Sequence, residues 1–108
     1  MTFYEVLEMT GYPVAYGYFE ENEAPELPYI VYMQDEYETI YLDDEAIYEL
    51  PTYSVEYYFD RKSPENEKLL EQALKDHGYR YDRGSEEFIS DEKMFCITYD
   101  VYSLNFNE

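Results

Sequence analysis

The segment that decides the fold is TYSVEYYFD, residues 52–60, followed by RKSPENEKLLEQALKDHG, residues 61–78. In the first part, large apolar and aromatic side chains recur at every second position, which predicts a strand with one buried face. The residues of that face are Tyr53, Val55, Tyr57 and Phe59. The second part has the spacing of an amphipathic helix, so the segment predicts a strand followed by a helix that packs on it.

Residues 64–77 are predicted to be helical because both ends carry helix signals. Ser63 is suited to cap the N-terminus, and Pro64 already has the backbone angle of a first helical residue. His77, the single histidine, lies in the last turn, where it should interact with the helix C-terminus. We expect the helix to pack against Val55 or its strand neighbours. Its expected buried residues are Leu69, Leu70, Ala73 and Leu74.

A second helix is predicted at residues 2–10, where Thr2 and Glu5 fit a capping box. Further strands are predicted at residues 13–19, 27–34 and 93–105, and the length of the last suggests a central position in a sheet. Residues 1–108 are therefore predicted to form a single α+β domain. It would contain an antiparallel sheet of four or more strands, the N-terminal helix, and one long helix on a face of the sheet.

Two segments have a weaker pattern. Residues 79–88 are predicted to begin as a strand and turn at residues 83–85. Residues 35–50 are predicted to hold a short strand at 39–42 and a tight acidic turn at 43–45. This second segment is long for a hairpin connection, and long connections in small domains are often functional. We therefore predict an assembly surface made of Tyr37, Tyr41, Asp43, Asp44, Glu45 and Tyr48.

The charge of the chain excludes several functions. There are 26 Asp and Glu against seven Lys and Arg, which gives a net charge of -19. Binding to nucleic-acid phosphates or to anionic membranes requires the opposite sign. High solubility is one interpretation of this charge. The others are a basic partner, mimicry of DNA, or a surface past which DNA slides without being held.

The aromatic and sulfur content gives further limits. The 16 Tyr exceed what a small core should need, so some are expected to contact a partner. Cys96 is the single cysteine, and we expect it to be a buried thiol. The N-terminus lacks the basic and apolar regions of a signal peptide, and no apolar run is long enough to span a bilayer. An intracellular, non-membrane protein is expected.

The sequence contains no recognisable catalytic or metal-binding motif. It has no nucleophile–base set, CxxC pair or phosphate-binding loop, so we expect no enzyme and no cofactor. The acidic run at residues 43–45 lacks the spacing of a calcium loop and is best interpreted as a solvated turn. Pairs of carboxylates are weak evidence for acid–base catalysis in this chain, because 26 acidic residues bring carboxylates close together by chance. No obligatory metal is expected.

Several segments resemble the tail completion proteins of siphophages and of prophages of Gram-positive bacteria, also called tail terminator or head–tail joining proteins. The matching segments are PVAYGYF (13–19), LPYIVY (27–32), YSVEYYFDRKSPENEKLLEQAL (53–74) and FISDEKMFCITYDVY (88–102). They include a strand that ends in a short basic turn, a charged helix with paired leucines, and an Ile-x-x-Glu-Lys sequence before the last strand. The net charge is more negative than expected for this family.

This resemblance implies a mixed α/β subunit that forms a ring, often of six copies. The ring would cap the tail tube and dock on the head connector, first in the host cytoplasm and then in the virion at the tail–head junction. DNA would pass through the ring without being bound. A different interpretation is an acidic DNA mimic that inhibits a DNA-binding protein. A regulator or neutralising partner with a basic target is a third.

Overall fold

The computed structural model describes residues 1–20, 22–42 and 46–103, including their side chains except at 38–42 and 46–49. The protein has the α+β class predicted from the sequence, with two helices and a five-stranded sheet. In chain order the elements are α1 (Phe3–Glu8), β1 (Val14–Tyr16), β2 (Tyr29–Leu42), β3 (Ala46–Phe59), α2 (Pro64–Asp76), β4 (Tyr79–Ile89) and β5 (Met94–Ser103).

The sheet has the order β1-β2-β3-β5-β4 and is mixed. Three neighbouring pairs are antiparallel, but β1 runs parallel to β2, so the prediction of an antiparallel sheet was wrong at this edge. Residues 17–28 connect these two strands. Parallel neighbours require a connection long enough to return the chain to the same end of the sheet, and this segment provides it. The central position expected for the last strand is confirmed, because β5 lies between β3 and β4.

Both helices begin with the predicted caps. The Thr2 hydroxyl accepts a hydrogen bond from the Glu5 backbone N–H at 3.1 Å, and the Thr2 N–H donates to Glu5 Oε1 at 2.9 Å. In α2 the Ser63 hydroxyl accepts from the Asn66 N–H at 3.3 Å. At the other end, His77 Nδ1 lies 2.9 Å from the Ala73 carbonyl oxygen, which places the imidazole at the helix C-terminus as expected.

The helices cover one face of the sheet, and the buried stripe of α2 differs from the prediction at one residue. Leu70 and Leu74 are fully buried together with Val55, as expected. Leu69, however, is 52% exposed, so its predicted burial was wrong. Successive helical residues are rotated by about 100°, so Leu69 points away from the sheet when Leu70 faces it. The position that completes the buried stripe is Glu67.

The turn predicted at residues 83–85 was also wrong. β4 continues from Tyr79 to Ile89, with a register shift against β5 between Arg83 and Glu86. Gly84 lies at this irregularity, where a Cβ atom would come within 2.7 Å of the Thr98 carbonyl oxygen. The glycine therefore allows the two backbones to approach closely while the strand accommodates its extra residue.

Replacement of Gly84 with Ala should lower the free energy of unfolding by about 1–3 kcal/mol, because the added methyl group pushes against backbone that cannot move aside. Urea denaturation gives this value directly. Ser85→Ala, at the exposed neighbouring position, is the matched control and should change stability by less than about 0.5 kcal/mol. Equal stability of the two variants would contradict a close backbone approach at Gly84.

Candidate assembly interface

A two-stranded ribbon extends beyond the rest of the sheet. Residues 37–42 of β2 pair with residues 46–51 of β3. On one side, β5 pairs with β3 only from Thr52 onwards, and on the other side β1 pairs with β2 only at residues 30–32. Within the described part of the chain, no third strand therefore supports this ribbon. We call these two paired segments, residues 37–42 and 46–51, the arm.

The arm begins at a bend that side chains hold in place. The register between β2 and β3 shifts between Gln34 and Tyr37, as in a β-bulge. The Thr52 hydroxyl donates to the Glu36 carbonyl oxygen at 2.6 Å and accepts from the Glu36 N–H at 3.3 Å. The Ser54 hydroxyl also donates to Asp35 Oδ2 at 2.9 Å. These bonds replace part of the strand ladder and fix the direction in which the arm leaves the sheet.

The dimensions of the molecule are consistent with a projecting element. Its principal extents are 51 × 27 × 25 Å, and its radius of gyration is 15.1 Å, against about 13 Å for a compact chain of this length. Its accessible surface is 7247 Å², whereas a compact monomer of this mass exposes roughly 6,400 Å². A two-stranded ribbon alone is only marginally stable in water. The arm is therefore a segment that a partner surface would stabilise.

The structure places three of the six predicted interface residues in the arm. Tyr37 lies at its base and is 55% exposed. Tyr41 and Tyr48 lie in its two strands, where the register sets Tyr41 opposite Ile47 and Tyr48 opposite Ile40. The remaining predicted residues lie outside the described residues; these are Asp43, Asp44 and Glu45.

The charges of the chain are segregated, a feature that the sequence reasoning missed although it can be counted directly. The first 60 residues contain 15 Asp and Glu and no Lys or Arg. All seven Lys and Arg follow, beginning at Arg61. The arm and strands β1–β3 consequently present only negative charge, whereas every cation belongs to the part of the chain that starts at the β3–α2 turn.

Carboxylates also lie on the sheet face that faces away from the helices. Asp82 of β4 and Asp100 of β5 are direct cross-strand partners, and both are exposed. Like charges in this position repel and destabilise the strand pair. Asp35 lies on the same side of the molecule, bonded to Ser54, the β3 partner of Asp100. Three exposed carboxylates therefore lie on this side of the molecule, together with Arg80, which is two residues before Asp82 in β4.

The helix-covered side holds an ion-pair network centred on Glu67, which is only 3% exposed. Lys62 Nζ and Arg83 Nη2 each lie 2.7 Å from one of its carboxylate oxygens. Burial by itself would raise the pKa of Glu67, but hydrogen bonds from Lys62 and Arg83 outweigh it and hold the pKa below its ordinary value. Arg83 also reaches Glu71 at 3.2 Å, so it joins two carboxylates of α2 to β4.

Two buried tyrosines provide a matched test of this network. Tyr99 donates to Glu71 Oε2 at 2.7 Å, and burial together with this bond raises the pKa of Tyr99. The Tyr57 hydroxyl is buried without a hydrogen-bond partner among the described residues, and burial raises its pKa to about 12. Tyr99→Phe should destabilise the protein by about 1.5–3 kcal/mol, whereas Tyr57→Phe should be neutral or stabilising. Thermal denaturation of both variants checks this, and equal losses would contradict it.

Among the described residues, no group of three or more His, Cys, Asp or Glu side chains is arranged to hold a metal ion. No helix in that part of the chain is long and apolar enough to cross a bilayer. Cys96 is buried as predicted, and burial raises the pKa of its thiol. In comparisons with known proteins, no family model matches the chain and no curated protein shows significant similarity to it.

Proposed function

We propose that this protein is a tail completion protein of the siphophage type, which caps the tail tube and joins the tail to the head connector as an oligomeric ring. The observation that carries the proposal is the arm, a two-stranded ribbon without a third strand in the described part of the chain. A ribbon of this kind would gain stability from a partner surface, and the sequence resemblance supplies the class of assembly in which such a surface would be found.

The charge distribution supports a position on the path of DNA. A ring through which a genome passes must not hold phosphates, and a wall of like charge repels them at distances of about 8 Å in physiological salt. The acid-only first 60 residues and the exposed Asp82–Asp100 pair fit such a wall. DNA would then pass the ring without being bound.

The same charge opposes self-assembly. Six copies at -19 each would carry -114, so subunit contacts must compensate for a large repulsion. Exposed aromatic and apolar side chains are available for this purpose, among them Tyr37 at the base of the arm and Leu69 on α2. Burial of such side chains contributes about 25 cal/mol per Å² and does not depend on net charge.

The proposal is tested by complementation. Extracts from a phage that lacks this gene should contain separate heads and tails, and the purified protein should restore joined particles visible by electron microscopy. Heat-denatured protein and another acidic protein of similar charge serve as controls. Heads and tails that join equally well without the protein would overturn the proposal.

Hydrogen exchange provides a second measurement. Backbone amides of the arm should exchange at least about tenfold more slowly in assembled rings or tails than in the monomer, because assembly would bury their strand edges. Amides of the central strand β5, such as those of Ile97 and Tyr99, are the internal control and should be protected in both states. Arm amides with identical exchange in both states would contradict an assembly role.

A second candidate function, an inhibitor that mimics DNA, is favoured by the exposed carboxylates of the open sheet face, Asp35, Asp82 and Asp100. A mimic should act as a monomer or dimer and inhibit a DNA-binding enzyme stoichiometrically. Asp82→Asn/Asp100→Asn should abolish such inhibition, whereas it should leave the formation of a ring intact. Inhibition without any ring formation would favour this alternative.

A further inference from the structure

The two edges of the sheet differ in how well they are protected against a further strand. β1 has only three residues, and the Tyr16 hydroxyl at its end accepts a hydrogen bond from the Gln34 N–H of β2 at 3.2 Å. At the other edge β4 has 11 residues, and no strand in the described part of the chain pairs with its outer side. The unpaired backbone groups of such an edge can bond a strand from another molecule.

The charges of β4 restrict which strand can be added to it, because charged side chains on an edge oppose pairing with an unmatched partner. Arg80 and Glu87 are both exposed, and neither forms an ion pair among the described residues. The Arg80 guanidinium lies 4.8 Å from the centre of the Tyr102 ring, which holds it in place without neutralising it. A complementary strand would offer a carboxylate to Arg80 and a cation to Glu87, and β4 itself carries both.

The register shift in β4 places these two charges on one face of the sheet. Arg80 lies opposite Tyr102 of β5, and Glu87 lies opposite Cys96. Tyr102 and Cys96 are six residues apart in a strand whose side chains alternate, so Arg80 and Glu87 share a face. Without the extra residue at the shift, these two residues, seven apart in the chain, would lie on opposite faces. The bulge therefore permits an antiparallel pairing of two β4 strands in which Arg80 faces Glu87.

An antiparallel pair of β4 strands about a two-fold axis between Arg83 and Gly84 sets no like charges directly opposite each other. The direct pairs, each of which occurs twice, are Tyr79–Phe88, Arg80–Glu87, Tyr81–Glu86 and Asp82–Ser85. The first of these is an aromatic pair and the second an ion pair, and both kinds stabilise paired strands. A shift by two residues would set Asp82 opposite Glu87 in one direction, and in the other it would separate Arg80 from Glu87. The side chains therefore specify one register.

We propose that two copies of the protein pair through β4 in this register, so that their sheets join into one across the two-fold axis. A contact of one surface with the same surface of a second copy closes on itself and gives a dimer. β5 lies between β4 and the strand β3 of the arm, so both arms stay outside the contact and the dimer does not depend on the proposed ring. Backbone bonds and cross-strand pairs would offset the repulsion between two chains that each carry -19.

Reversal of the charges in the Arg80–Glu87 pair tests the contact. Arg80→Glu and Glu87→Arg should each weaken the dimer about 30-fold, because like charges then face each other at both symmetric positions. The combined variant Arg80→Glu/Glu87→Arg restores opposite charges and should dimerise within about threefold of the wild type. Sedimentation velocity from micromolar to millimolar protein measures the dissociation constant, and circular dichroism verifies the fold of each variant.

Net charge alone predicts a different result. Glu87→Arg replaces an acid by a base and changes the net charge from -19 to -17, which by itself would favour association. The matched control Glu8→Arg makes the same change on α1, which contacts β1 at the other edge of the sheet, and should dimerise at least as tightly as the wild type. Equal effects of these two substitutions would overturn the contact. So would a combined variant no tighter than the single ones, or a wild-type chain that stays monomeric up to millimolar concentration.

The outcome is separable from that of the proposed function. A protein that stays monomeric in solution but restores joined phage particles would refute the β4 contact and leave the function standing. A dimer that responds to charge exchange, formed by a protein that fails to restore joined particles, would refute the function and support the contact. Hydrogen exchange at dimer concentrations should slow in β4 alone. Slower exchange confined to the arm would show that a different strand pairs between copies, and it would overturn the contact.

Discussion

Arg83→Met should lower the free energy of unfolding by about 3 kcal/mol at neutral pH, the largest stability loss expected from a single surface-accessible residue of this protein. The substitution keeps most of the aliphatic stem but leaves Glu67 with Lys62 alone and deprives Glu71 of its cation. Glu67 is 3% exposed, so an incompletely paired charge at this position has little access to water. Urea denaturation at pH 7 measures the loss.

The loss should depend on pH in a defined direction. The pKa of Glu67 in the folded protein lies below its ordinary value of 4.5, so the ionised carboxylate stabilises the wild type at pH values above 4.5. The contribution is lost as the pH falls through the folded-state pKa. In Arg83→Met, Glu67 has lost one of the two hydrogen-bond donors that offset the cost of burying its charge. Protonation of Glu67 removes that charge and therefore stabilises the variant relative to its state at pH 7. The difference between the two proteins should therefore narrow between pH 7 and pH 4.

Arg80→Met is the control for this prediction, because it removes an arginine from the same strand that has no ion pair among the described residues. Its guanidinium lies over the Tyr102 ring, so its loss should cost less than about 1 kcal/mol and should not vary with pH in this range. Equal effects of the two substitutions, or a loss at Arg83 that stays constant down to pH 4, would show that Glu67 does not depend on Arg83.

The sequence predicts most of what depends on neighbouring residues. Both helix starts are correct because the capping groups lie within three residues of the N–H groups that they bond. The strand through Val55 is correct because alternation of side chains is itself local. The error at Leu69 has the same origin, because the spacing of Leu69, Leu70 and Leu74 fits one apolar stripe. The local pattern does not show that Glu67 is buried in place of Leu69.

Features that depend on distant pairing were not predictable in this way. The parallel direction of β1 is set by the path of residues 17–28, which the composition of that loop does not specify. The continuation of β4 past Gly84 requires β5 opposite it. The ion-pair network joins Arg83 to two acids of α2, Glu67 and Glu71. Arg83 follows Glu67 by 16 residues in the chain. Among 26 carboxylates, the sequence gives no reason to single out these two.

The arm illustrates an intermediate case. The length and tyrosine content of residues 35–50 indicated an interface, but the same segment had the weakest secondary-structure pattern. Its strands extend because β2 and β3 pair with each other, not because their sequences alternate regularly. A ribbon that no third strand supports, in the described part of the chain, need not carry the alternation of a strand that buries one face in its own core. Residues 37–42 and 46–51 can therefore form strands although their apolar and polar residues do not alternate regularly.

Shortening the arm should abolish assembly and leave the subunit folded. Residues 39–49 can be replaced by Asn-Gly, which forms a tight two-residue turn between Glu38 and Leu50, a directly paired set of residues. In the described part of the chain no third strand pairs with these residues, so the melting temperature should change by less than about 4 °C, equivalent to under 1 kcal/mol. Circular dichroism and calorimetry verify this first half of the prediction.

The second half concerns function. Without the arm, the protein should fail to restore joined phage particles and should not form rings, because the surface that a neighbouring subunit would bind is missing. A variant with the full arm and Tyr37→Phe is the matched control, since it keeps the aromatic surface and should retain activity. Shortened protein that joins heads to tails as well as the wild type would remove the arm from the assembly mechanism. A shortened protein that fails to fold would instead show that the arm stabilises the monomer, and would contradict the first half of the prediction.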